Sequence, residues 1–139
     1  MAVKNTLDGS FEIGFGSVVP ITLSYAGLIN ASYPSFYAKV GNMCVLYLPS
    51  ITETPITSSP SVIQINIPTD IVPKKNQIIH GFSVNDADGT QNSVLELGEY
   101  SNLFILGKET SGGIPGQFNN TSPVSITRYR YIIYQLFNE

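Results

Sequence analysis

The sequence predicts an all-β fold: an antiparallel β-sandwich or barrel, forming a single domain over residues 1–139 that buries surface against copies of itself. Three observations carry this. Short apolar runs recur along the chain and are cut by Gly, Pro, Asn, Asp and Ser, the pattern of strands and turns. No window holds apolar residues at helical spacing without a Pro, Gly or β-branched interruption. Asp, Glu, Lys and Arg make up 12% of the chain, against roughly 25% in an ordinary soluble domain. A small monomer keeps itself soluble with charge, so a chain this poorly charged is expected to bury surface against copies of itself.

The elements follow in order. Phe11, Ile13 and Phe15 alternate with Ser10, Glu12 and Gly14, giving a first strand, and 20–25 gives a second. Gly27, Asn30 and Pro34 break 26–35 into a loop. Then comes the organising stretch, 37–49, where two apolar-rich runs meet at Gly41-Asn42. A Gly-Asn link predicts a two-residue β-hairpin, because glycine supplies the positive φ at the first central position. Val40 and Met43 are then the closing pair, with Val40, Gly41, Asn42 and Met43 forming the structural turn. The near-continuous apolar run 43–48 predicts a strand near the middle of a sandwich.

Residues 52–60, rich in Thr, Ser and Pro, predict a long loop. Ile63, Ile65 and Ile67 alternate with Gln64 and Asn66, giving a strand that Pro68 ends. Strands are expected over 77–85, 93–97 and 102–106, with a turn at 86–89. The glycine-rich stretch 108–123 predicts a flexible loop. One long strand, 124–137, closes the chain, with Val124, Ile126, Arg128, Arg130, Ile132, Tyr134 and Leu136 on one side; its end is apolar on both sides, as at a central position or an interface.

Several function classes are disfavoured. A chain of 139 residues holds one core and has no room for a catalytic domain beside a binding domain. Cys44 is the single cysteine, so an internal disulfide framework is ruled out and a buried thiol is expected. Met1 is followed by Ala-Val-Lys-Asn-Thr without the apolar core of a secretory signal, and no stretch is long and apolar enough to cross a bilayer. A net charge of -3 argues against nucleic acid and anionic membranes as partners. Only Lys74-Lys75 and the Arg128/Arg130 pair are locally basic.

His80 is the only histidine and sits in a strand-like run, so a structural or partly exposed role is expected over general-base chemistry. Asp86-x-Asp88-Gly89 opens like a calcium loop, but Thr90-Gln91-Asn92-Ser93 lacks the later acidic ligand, and an ordinary turn is expected. One Cys and one His cannot make a zinc site. No catalytic residue, metal or cofactor is assigned. The ligand-binding candidates are the aromatic residues placed in loops, Tyr33, Tyr100 and Phe118, whose flat faces suit sugars.

The string Tyr37-Ala38-Lys39-Val40-Gly41-Asn42-Met43-Cys44-Val45 resembles the Tyr-x-Lys/Arg-Val-Gly-Asn-x-Val segment of C-terminal head domains of bacteriophage tail fibres and related viral appendage proteins. The order of elements downstream fits as well, over roughly 36–137. The chain departs from the pattern in starting at Met1 with no collar, shaft or repeats, and in its longer 108–123 loop. The resemblance implies a receptor-binding, jelly-roll-like antiparallel β-sandwich that assembles as a trimer and sits on the virion surface, made in the host cytoplasm. It implies a non-enzymatic viral structural and attachment protein, with a host glycan or protein and other virion proteins as partners, no nucleic acid, and no membrane insertion. The alternatives are a cellular lectin-like carbohydrate-binding module and a virion decorating or minor capsid protein.

Overall fold

A computed structural model of the chain describes residues 3–5, 11–13 and 18–136. Its first two strands, β1 (Val3–Asn5) and β2 (Phe11–Ile13), pair as an antiparallel two-stranded sheet. Phe15 of the first expected strand, and Phe137 at the end of the last, lie outside the described residues.

The remaining strands are β3 (Val19–Gly27), β4 (Ala31–Val40), β5 (Met43–Leu48), β6 (Ile51–Glu53), β7 (Ile63–Asn66), β8 (Gln77–Asp86), β9 (Gly89–Leu97), β10 (Leu103–Lys108), β11 (Val124–Ile126) and β12 (Arg130–Gln135). They form one antiparallel sheet in the order β12-β5-β4-β3-β7-β10-β9-β8-β11-β6. A single 3-10 turn, Thr69–Ile71, is the only helical element among the described residues. The all-β, antiparallel expectation holds, and the sheet is curled into a half-barrel.

The curl follows from connectivity. β5 is second in the sheet and β6 is tenth, yet only Pro49 and Ser50 separate them. In a flat sheet those positions are about 38 Å apart at the usual strand spacing. Three residue steps span at most roughly 11 Å. Only a curled sheet brings them together. β11, ninth in the sheet, likewise leads through residues 127–129 into β12, which is first.

The two links form one bent ribbon. Ile126 pairs with Ile51 on one side of the corner and Arg130 with Leu48 on the other. Thr127, Arg128 and Tyr129 therefore face only Pro49 and Ser50, one extra residue on one strand, which is how a β-bulge bends and twists a ladder. Pro49, lacking an N–H, breaks the ladder there. The long terminal strand expected over 124–137 is thus two strands with a corner between them. Its predicted side survives, since Val124, Ile126, Ile132, Tyr134 and Leu136 are all buried.

Side chains also close the curl. The Gln77 amide donates to the Gln135 carbonyl and accepts from the Gln135 N–H, each at 2.8 Å, joining β8 to the edge strand β12. The Tyr33 hydroxyl donates to Glu53, joining β4 to β6. The Tyr134 hydroxyl donates to the Ile71 carbonyl at 2.7 Å. Inside lies a core that includes Leu23, Tyr25, Leu46, Ile65, Leu95, Phe104 and Ile132.

The 37–49 hairpin forms as expected. Val40 pairs with Met43, Gly41 has φ +62°, and Asn42 keeps a negative φ, the signature of a type II′ turn. Three loop expectations are corrected. Residues 31–35 are strand, because Pro34 pairs only towards β3; β5 meets β4 only from Tyr37 onward, so Pro34 interrupts no second ladder. Ile51–Glu53 is strand, paired with β11. Residues 108–123 form a pinned loop: Lys108 bridges Gly116, Phe118 bridges Ser61, and Phe118 is fully buried.

Two measurements test these assignments. A Cβ at Gly41 meets nothing within 4 Å, so Gly41→Val carries only the backbone cost of positive φ, and the variant loses about 1–2 kcal/mol in denaturant unfolding while Gly41→Asn loses much less. The buried Tyr25 hydroxyl has no hydrogen-bond partner among the described residues, whereas that of Tyr134 does. Tyr134→Phe therefore costs about 1 kcal/mol and Tyr25→Phe close to none, read from the shift in urea midpoint.

Candidate functional site

The three aromatic candidates separate. Phe118 is buried beneath the pinned loop and is a core residue. Tyr33 lies in β4, edge-on to Tyr25 at 5.5 Å between ring centroids, with its hydroxyl engaged by Glu53. Burial, then the Glu53 hydrogen bond and charge, push its pKa up to about 12. Tyr33 is thus a structural clasp, because the loop that was to display it is a strand. Tyr100 alone offers an open ring, 68% exposed, in the turn between β9 and β10. Its φ of +55° is the only positive value at a non-glycine among the described residues, held by its N–H donating to the Pro73 carbonyl at 2.9 Å. Strain of this kind persists where the surroundings over-determine it.

A second aromatic group covers the outward face of β4, β5 and β12. Phe36 and Tyr47 stack at 4.9 Å with planes 3° apart, Tyr131 lies 5.3 Å from Tyr47, and Tyr129 lies 5.8 Å from it. Ile133 and Tyr129 are each 61% exposed. Alternation along the ladders puts no charged residue on this face of the three strands.

A concavity lies at the corner of the bent ribbon, a cleft of about 450 Å³ lined by residues 81–83 and 126–130. It is produced by two bulges. One is the corner itself. In the other, His80 and Gly81 of β8 face the single residue Val94, and Gly81 takes φ +86°. Pairing of β8 with β11 stops at Val84 and Ile126, so the ribbon swings away and leaves a wedge. Into it comes Arg130, its guanidinium 4.4 Å from the centroid of the Phe82 ring and 3.5 Å from where a Cβ on Gly81 would stand. Arg128 and Tyr129 form the exposed rim. The Arg128/Arg130 pair reads from the sequence as locally basic but not as a site; its signal is alternation with Tyr129 and Tyr131.

A second cluster of titratable groups ties the long loop down. Lys108 reaches both Asp88, at 2.9 Å, and buried Asp86, at 3.2 Å. Asn119 donates its backbone N–H to Asp86 and its side-chain amide to Asp88, tying the 108–123 loop to the β8–β9 turn. An ammonium thus stands between the two carboxylates of the calcium-like motif, and residues 87–88 form the turn between β8 and β9. His80 is exposed, 3.8 Å from Glu109. Cys44 is buried, which pushes its thiol up to about 11, and it forms no dyad with the exposed His80.

The Asp88–Lys108 clasp makes a pH prediction. The Lys108 and Asn119 hydrogen bonds hold the Asp88 carboxyl below its ordinary value. A depressed pKa contributes stability that is present above the unfolded value of about 4 and is lost as pH falls through the folded one. Asp88→Asn therefore lowers the melting temperature at pH 7 and narrows its distance from the parent as pH falls below the ordinary carboxylate range, as thermal scans across pH will show.

No family model matches the chain, and no curated protein matches it.

Proposed function

We propose that the chain is a non-enzymatic viral attachment head: a jelly-roll-like β-sandwich that trimerises on the virion surface and presents loops to a host glycan or protein. The observation that carries this reading is the outward face of β4, β5 and β12, aromatic and aliphatic and without charge, in a chain whose ionisable content is already low. Apolar patches of this kind on a small protein mark association surfaces. β5 and β12 are apolar on both sides, with Cys44, Leu46, Ile132 and Tyr134 turned into the core, which supports burial of both faces in an assembly. The resemblance of 37–45 to viral appendage heads supplies the virion setting.

The lectin-like reading has one observation of its own, the strained and exposed Tyr100, whose open ring is the type of platform sugars stack on. Solution mass separates the two. Light scattering on a size-exclusion column gives three chains for a viral head, and Ile133→Glu, which puts a charge on the outward face, yields a folded monomer. A parent that runs as one chain sinks the viral-head proposal and leaves the lectin-like module.

A further inference from the structure

We propose that the corner cleft is a binding site for a sugar carboxylate, of the uronic or sialic acid kind. The chain has two arginines, Arg128 and Arg130, and both converge on this one cleft in a protein of net charge -3. Among the described residues no carboxylate lines it, and neither guanidinium has an acidic partner within ion-pair distance. Arg130 is nonetheless held in place, over Phe82 and against the bare backbone of Gly81. A guanidinium positioned by packing, not by a counter-ion, keeps its fork of donors for a planar carboxylate, which it grips through two parallel hydrogen bonds.

The rest of the wall suits a ring bearing hydroxyls. Tyr129 is a flat, exposed aromatic at the rim, and Ser83 and Thr127 bring hydroxyls to the lining. The cavity volume lies within the range of ordinary small-ligand sites. Gly81 also explains why the site depends on the β8 bulge: its positive φ turns the strand and lets the backbone lie beside the Arg130 guanidinium, where a Cβ would already be in van der Waals contact. One chain supplies this lining by itself, so acid binding is read separately from oligomeric state.

The test is amide chemical-shift mapping on the full isotope-labelled chain, with methyl glucuronide and N-acetylneuraminic acid as acidic probes and methyl glucoside as the neutral one, each to roughly 10 mM. The expected result is saturable shifts confined to residues 81–83 and 126–130 with at least one acid, weakened by added salt, and shifts at least about tenfold weaker in affinity with the glucoside. Arg128→Gln and Arg130→Gln each lower the acid affinity about tenfold, while Lys75→Gln, the same charge loss at a distant exposed site, leaves it unchanged. Arg128 is exposed, so its variant retains the fold even where Arg130→Gln does not. Absence of shifts with both acids, equal binding of the glucoside, or an unaltered Arg128→Gln overturns the proposal. Binding by a protein of one-chain mass upholds the site while removing the viral-head reading; a trimer that binds no acid does the reverse.

Discussion

Two residues, Pro49 and Ser50, constrain the whole molecule. They carry the chain from the second strand of a ten-stranded sheet to the tenth, a distance that a flat sheet cannot close. Curling is therefore a requirement of chain length before it is a matter of packing. Once curled, the sheet encloses the apolar faces of its strands, and the hydrophobic burial of Leu46, Ile65, Phe104 and Tyr134 stabilises a shape that connectivity demands. The native twist of antiparallel strands turns in the same sense all along the sheet, so local and global requirements agree.

Closing a sheet in this way puts irregularity at the seam. The ribbon made by β5–β6 and β11–β12 gains one residue at the corner, and β8 gains one at His80-Gly81. Both bulges fall where the two ends of the sheet meet, and together they open the cleft beside Arg130. Elsewhere the seam is shut by polar side chains acting as substitute ladder partners. Gln77 against the backbone of Gln135 is the clearest case, since a side-chain amide there reproduces the donor and acceptor of a strand. It also occupies the open edge of β12, the position from which unwanted strand addition would start.

Scarce charge is distributed with a pattern. Lys108 is enclosed by Asp86 and Asp88 and holds the long loop to a turn. The two arginines gather at the seam, and the outward face of β4, β5 and β12 has no charge at all. One region of the surface is thus apolar and adjoins one that is cationic and concave, with Tyr129 belonging to both. The association face and the acid-binding cleft proposed above would share that border.

The sequence by itself determined the strand character, the Gly41-Asn42 turn, the burial of Cys44 and the inward side of the terminal segment. Each rests on local chemistry: a two-residue period, a glycine φ, or an apolar run. Only the tertiary structure decided that the terminal segment is two strands, because a corner that preserves alternation, with Ile126 and Arg130 in the same phase, leaves no mark in the period. It also decided that residues 31–35 are strand, since a proline is tolerated wherever the neighbouring ladder happens to be missing. Tyr33, Tyr100 and Phe118 looked alike as aromatics near turn residues; one became a clasp, one a strained exposed ring and one core, according to what the fold brought opposite each. Beyond the basic character of the Arg128/Arg130 pair the corner cleft was not legible, because Phe82 and Arg130 are 48 positions apart in the chain and meet only where the curled sheet closes on itself.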